Sequence, residues 1–228
     1  MFDRFHLAAS TDDLDDEPTA REHADLVEFR MDLADDPLAA LAAYDGELPL
    51  LVTNRPRWEG GETEPYRRLD DLAEAVAHEA VVAVDVELAT LRGRPTGTND
   101  VEPATLLARA RDAGVSVVAS VHDFDGTPEP TALDELLRAA ATAGDVGKLA
   151  VTADSRRDAL ALLSATHRAS SRGDRVATMA MGEAGAHTRA VAPVYGSRIG
   201  YAPVRPEAAT APGQYPLAKL RELVDDLV

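Results

Sequence analysis

The chain has 228 residues, of which 45% are hydrophobic, enough for one large domain with a sizeable core. Forty acidic residues against 23 lysines and arginines give a formal charge of −17, a field that repels nucleic acid and anionic membrane surfaces. There is no cysteine, which excludes disulfides, a thiolate nucleophile and zinc–thiolate sites. The opening MFDRFHLAAS lacks the apolar stretch of a secretory leader, and no run approaches bilayer length, so the expectation is a cytoplasmic protein.

Short apolar runs alternate with amphipathic segments along the whole chain. Strands are expected at 4–10, 24–32, 47–55, 80–88, 114–122, 145–152, 175–182 and 197–204. Between them, 64–79 reads as a helix with Leu69, Leu72, Ala73 and Val76 on one face. Residues 101–114 read as a helix with Pro103 in its first turn and Gly114 just past its end. Helices are also expected at 134–144, 154–170 and 216–228, and the breaker-rich 92–100 as a loop. Strand–helix alternation implies parallel pairing through crossovers. Eight such units predict a single (β/α)8 TIM barrel over residues 1–228, with a doubly wound open sheet as the alternative.

Side chains two apart on a strand share a face. Near the strand ends this puts Glu28 with Arg30, Thr53 with Arg55, Asp85 with Glu87, Ser120 with His122, and Met179 with Met181 on common faces. Lys148 shares its face with Val146, opposite Leu149 and Val151. A barrel interior kept only for packing favours Val, Ile and Leu, whereas active sites of this fold sit at the C-terminal strand ends. So many inward charges would each need a partner if they were merely structural, and they point instead to a functional pocket.

Lys148 is one of two lysines in a chain with twenty-one arginines, and it interrupts an otherwise apolar strand. Unlike arginine, lysine can lose its proton and act as an amine nucleophile; the alternative is a strand-end lysine reaching for solvent. Burial among cations such as Arg30 and Arg55 would favour the free amine and imine formation with a carbonyl substrate. His122 is a proton carrier, and Glu59 in RWEGGE a candidate to orient it. The arginines suit a carboxylate. Carbanion or elimination chemistry beside an imine follows, on a small anion. An imine-forming lyase that cleaves a C–C bond, and a non-catalytic ligand-binding barrel, remain alternatives. EGGE and MGEAG do not match a phosphate loop. Asp85 and Glu87 are assigned only a pairing role with Lys148 or an arginine. His6, His78, His167, His187 and Lys219 are expected to be structural or surface residues.

From Ala24 to Gln214 an ordered series of motifs resembles the type I 3-dehydroquinate dehydratase family: EFRMD, TNRPRWEGGE, VDVEL, SVHDFDGTP, GDVGKLA, MAMGEAGAHTR, YGSRIGYA and APGQ. The resemblance implies a TIM barrel that converts 3-dehydroquinate to 3-dehydroshikimate by syn elimination of water, with no metal or cofactor. It implies Lys148 as the Schiff-base nucleophile, His122 as the acid and base, and Glu59 as its orienting partner. It implies Arg189 on the substrate carboxylate and Glu28, Arg30 and Arg55 around the ring hydroxyls. Met179 and Met181 would lie near the imine and Tyr201 would line the site, with Thr210 and Gln214 on a closing loop. Thr210 stands where serine is expected. A homodimer is also expected. Many bacterial members carry a hairpin ahead of the first strand that covers the barrel bottom, whereas here the first strand is expected from residue 4.

The charge of −17 and the scarcity of lysine also read as salt adaptation. Carboxylates repel one another in the compact state, and the reach of that repulsion falls from ~10 Å at 0.1 M salt to ~3 Å at 1 M. Melting temperature should therefore rise steeply with KCl into the molar range; a melting curve indifferent to KCl would contradict the reading.

Overall fold

The computed structural model describes residues 1–64, 66–94, 100–205 and 213–228. Its strands are β1 (His6–Thr11), β2 (Leu26–Arg30), β3 (Leu50–Thr53), β4 (Val81–Glu87), β5 (Ser116–Asp123), β6 (Val146–Thr152), β7 (Val176–Met181) and β8 (Ile199–Pro203). Each falls within a segment expected to be a strand, to within one residue. All pairings are parallel, in the order β7-β6-β5-β4-β3-β2-β1-β8. The β1–β8 ladder, from His6 against Ile199 to Ser10 against Pro203, rules out the open-sheet alternative, because an open doubly wound sheet would leave β8 at a far edge.

The circle closes between β7 and β8 through a single parallel bridge, Val176 with Ser197. Side-chain hydroxyls take up the strand N–H groups that a longer ladder would have satisfied. The Thr178 N–H donates to Ser197 Oγ at 3.0 Å and the Ala180 N–H to Thr188 Oγ1 at 2.8 Å. Both acceptors are buried, so the seam is a dry one.

The helices are α1 (Glu17–Ala20), α2 (Pro37–Ala43), α3 (Arg68–Ala75), α4 (Leu88–Leu91), α5 (Pro103–Ala113), α6 (Pro130–Ala143), α7 (Arg156–Ser171), α8 (Thr188–Val191) and α9 (Leu217–Leu227). Helix α5 starts on Pro103 and stops at Gly114, which takes the left-handed φ of 72°. Helix α7 opens with a capping box between Ser155 and Asp158. Helix α6 begins four residues earlier than expected, on Pro130. Helix α2 was not anticipated, although Asp36 caps its Ala39 N–H and Pro37 occupies its first position. Most of the loop expected at 92–100, and Thr210, lie outside the described residues.

Outward strand residues such as Phe29, Val52 and Val84 pack on Leu41, Leu72 and Leu106 of the helices. Leu149 and Val151 pack on Leu133, Leu137 and Leu162, as their face on β6 requires. Inside the barrel the lower layer is apolar, with Leu26, Leu51, Val118, Val146 and Ile199 in one cluster. Phe2 joins that cluster while its ring meets His6 edge-on at 5.4 Å. Phe2 therefore fills the N-terminal end of the barrel, whose closure the sequence left unexplained. The charged interior side chains lie above this layer, at the C-terminal ends of the strands.

Candidate active site

Lys148 lies mid-strand on β6, 4% exposed, and lines an open cavity at the C-terminal strand ends. Its ammonium donates to Asp85 Oδ2 at 2.9 Å and lies 3.7 Å from Glu28 Oε1. The ring of Tyr201 sits against it, 4.1 Å from Nζ to the ring centroid. The sequence reading placed Lys148 among cations; its nearest charged neighbours are the carboxylates of Asp85 and Glu28, which β4 and β2 turn inward. Asp85 also receives Arg55 Nη2 at 2.9 Å and the Ser120 hydroxyl at 2.6 Å. Burial opposes its ionisation, but Arg55 and Lys148 outweigh it and hold this carboxyl well below the usual range.

His122, near the end of β5, has its ring fixed at Nδ1. Arg55 Nη1 lies 3.0 Å from that nitrogen and Glu59 Oε1 3.1 Å. The same carboxylate oxygen accepts the His122 backbone N–H at 3.0 Å, so Glu59 grips both the ring and the chain. The other ring nitrogen makes no hydrogen bond among the described residues, and His122 lines the cavity. Burial, then the charges of Arg55 and Lys148, push its pKa well below the ordinary imidazole value, so it is a neutral base at pH 7. Phe124 stacks on it at 6.1 Å. Glu59 ends the short 3-10 turn Arg57–Glu59, stopped by Gly60 at a φ of 78°. A side chain on Gly60 would also collide with the Phe124 ring.

The remaining cavity wall is formed by Ser10, Glu28, Arg30, Met179, Met181, Arg189 and Gln214, together with residues already named. Glu28 accepts from Ser10 Oγ at 2.5 Å and Thr53 Oγ1 at 3.0 Å. Arg30 is held in a two-point grip by Asp32, at 2.8 and 2.6 Å. Arg189, on α8, differs from the other buried arginines. It is 4% exposed and forms no ion pair among the described residues, and its Nε is unpartnered. Burial pulls its pKa down to about 10, which still leaves it charged at neutral pH. The Tyr201 hydroxyl is buried without a partner among the described residues, and burial raises its pKa.

The structure thus brings Lys148, His122, Glu59, Glu28, Arg30, Arg55, Arg189, Met181, Tyr201 and Gln214 to one place; only Thr210 falls outside the described residues. Sequence reasoning gave Asp85 a pairing role with Lys148 or an arginine, and Asp85 binds both Lys148 and Arg55. Its signal was present: two apart from Glu87 on a face that Ser120 and Lys148 also occupy. Glu87 pairs with Arg68 and makes no ion pair with Lys148. The histidines expected to be structural behave so where contacts exist: His6 Nδ1 meets the Arg4 carbonyl at 3.0 Å. Lys219 pairs with Glu222 on the exposed face of α9. Among the described residues no cluster suited to a metal ion is found, and no helix is long and apolar enough to cross a membrane.

A barrel with its charged side chains gathered at the C-terminal strand ends is an enzyme built for a small polar substrate. The family model of type I 3-dehydroquinase matches residues 7–227, and the chain belongs to that family. It is 57% identical to the 3-dehydroquinate dehydratase of Haloarcula marismortui over 99% of this chain and 97% of that protein. It is 54% identical to that of Halobacterium salinarum, over 99% of both chains. The crystal structure of 3-dehydroquinate dehydratase from Geobacillus kaustophilus superposes with a TM-score of 0.84 at 30% identity, covering 99% of this chain and 91% of that one. The type I enzyme from Clostridium difficile, solved with covalently modified comenic acid, gives 0.81 at 26% identity, covering 98% and 92%. The activity is that of the family, the hydro-lyase reaction that dehydrates 3-dehydroquinate in the shikimate pathway.

Glu59 carries a stability consequence. Burial, with repulsion from Glu87 and Asp85 and against the pull of Arg55, lifts its carboxyl from 4.5 to about 8. Between those values the folded state holds more protons than the unfolded one, so stability falls as pH rises. Glu59→Gln removes that dependence. The variant should melt above the parent by a margin that grows between about pH 5 and pH 8, each kcal/mol gained being about 2–4 °C at this size. A pH-independent difference would show that the carboxyl is ordinary.

Proposed function

We propose that Lys148 is the nucleophile of the dehydration and His122 its acid and base. Nζ of Lys148 adds to the C3 carbonyl of 3-dehydroquinate, and loss of water leaves a protonated imine. His122 then removes a proton from C2, with the iminium drawing off the electron pair as an enamine. Collapse of the enamine breaks the C1–O bond, His122 returns its proton to the departing hydroxyl, and water leaves on the same face. Hydrolysis of the conjugated imine frees 3-dehydroshikimate and the amine. The observation that carries this reading is a buried lysine and a neutral, two-point-held imidazole opening on one cavity. The covalent modification recorded in the Clostridium difficile structure is in keeping with it.

Glu59 holds the imidazole. Arg189, a buried cation with no protein counter-charge among the described residues, receives the substrate carboxylate. Glu28, Arg30 and Arg55 face the ring hydroxyls, and Met181 and Tyr201 pack beside the imine. Gln214 and Thr210 belong to the segment that completes the pocket. Asp85 balances the charge of the resting ammonium and of the iminium; His122 takes the proton that Nζ must lose before it adds and returns it to the carbinolamine hydroxyl that leaves as water. No cofactor is required, because the iminium itself is the electron sink. The enzyme acts in the cytoplasm. Salt adaptation is supported by the charge and by kinship to the Haloarcula and Halobacterium enzymes.

A homodimer is supported by exposed apolar side chains on one flank: Leu160 of α7 is 63% exposed, and Val194 and Tyr195 of the turn beside it 51% and 39%. Light scattering should give twice the chain mass, and Leu160→Glu should halve it; a monomeric parent would contradict the assignment.

Borohydride reduction with 3-dehydroquinate present should leave an adduct on the peptide containing Lys148, and Lys148→Ala should abolish both adduct and enone absorbance. His122→Ala should cut turnover by at least ~100-fold. An adduct on Lys219, or near-parental turnover in either variant, would overturn the mechanism.

A further inference from the structure

Behind the cavity wall lies a second buried ion pair that the chemistry does not touch. Arg68, the first residue of α3, has no exposed surface, and its Nη2 lies 2.9 Å from Glu87 Oε2. Thr90 joins them, accepting from Arg68 Nη2 at 3.1 Å and donating to Glu87 Oε2 at 2.9 Å. The remaining amino group, Nη1, donates to the Asn54 carbonyl at 3.0 Å and lies 3.3 Å from Glu87 Oε1.

Asn54 directly precedes Arg55 and opens the loop that carries Glu59. The Asn54 side chain accepts the Thr63 hydroxyl. The Thr63 N–H donates to the Arg55 carbonyl and the Arg57 N–H to the Thr63 carbonyl, both at 3.2 Å. The loop is therefore closed on itself, and its root is tied to β4 through one guanidinium. From that loop Arg55 reaches His122 Nδ1 and Asp85, and Glu59 reaches His122. We propose that Arg68 is a positioning residue: by clamping the Asn54 carbonyl to Glu87, it fixes Arg55 and Glu59 against His122. The inference deepens the proposed function and rests on the role given there to Glu59.

Stability alone does not account for this arrangement. Well-packed apolar residues generally serve a core as well as a buried ion pair does. Arg68 leaves its own Nε without a partner among the described residues. The residue before it, Arg67, adopts a φ of 55°, the one non-glycine residue in the left-handed region among the described residues. Strain of that kind persists where the surroundings impose it, and here it accompanies the entry of Arg68 into the interior. Only a guanidinium fork spans a carbonyl and a carboxylate together; a lysine offers a point charge.

The test is the variant Arg68→Met/Glu87→Gln, which removes both charges and leaves no lone ion buried. Its kcat should fall at least ~10-fold, a larger effect than any rise in KM through Arg55, while borohydride still traps substrate on Lys148. Because the clamp works through Glu59, adding Glu59→Ala should cost the variant less than it costs the parent. Should the double variant not fold, Arg68→Lys decides by the same measurements, with kcat reduced by more than KM is raised. Parental kcat in these variants, or losses that multiply fully with Glu59→Ala, would overturn the clamp while leaving Glu59 in its role. Parental turnover in Glu59→Ala alone would overturn the role of Glu59, and the clamp with it.

Discussion

Lys148 is a full positive charge placed inside a barrel, and a charge cannot be taken out of water without compensation. Asp85 supplies it, and the surrounding architecture follows from that requirement. One carboxylate would be over-matched by Lys148 and Arg55 together, and Glu28 brings a second negative charge to within 3.7 Å of the ammonium. Hydroxyls from Ser10, Thr53 and Ser120 then complete the hydrogen bonding of the two carboxylates. The register of the sheet makes this possible. Thr53 is in register with Asp85 and Ser120 with Lys148; Ser120 stands two residues beyond the register partner of Asp85, and its hydroxyl reaches back to that carboxylate.

That layer rests on an apolar floor and within apolar outer walls. The interior below it is apolar and closed by Phe2, while the outward strand faces are sealed by helices. Exclusion of water strengthens every interaction inside and keeps His122 neutral, since its proton would have to join Arg55 and Lys148 in a buried site. The same exclusion sets Glu59 against its own ionisation. The acid–base behaviour of the site thus comes from placement among charges, in residues whose side chains are chemically ordinary.

Against this background of matched charges Arg189 stands apart. Arg30 has Asp32, Arg55 has Asp85 and Arg68 has Glu87, each within 2.9 Å. Helix α8 inserts one more guanidinium without such a partner among the described residues, at the end of the barrel where the strands open. A site holding an uncompensated buried cation favours an anion over a neutral ligand of the same shape, because the ligand completes the pairing.

The eight strands, most of the longer helices and the inward faces of β2 to β7 were legible in the sequence, because alternation at period two and helix punctuation by proline and glycine are local properties. Lys148 was legible for the same reason, as a charge breaking an apolar run in a chain nearly without lysine. The ordered motifs gave the family. Pairing was legible only in outline. Asp85 and Glu87 were expected to pair with Lys148 or an arginine, and Asp85 takes Lys148 and Arg55 while Glu87 takes Arg68; Glu28 beside Lys148 and Asp32 on Arg30 were not foreseen, and α2 escaped notice because seven residues carry too little periodicity to register. Which charge neutralises which is decided by distances of three or four ångströms between strands far apart in the chain, and only the closed barrel sets those distances.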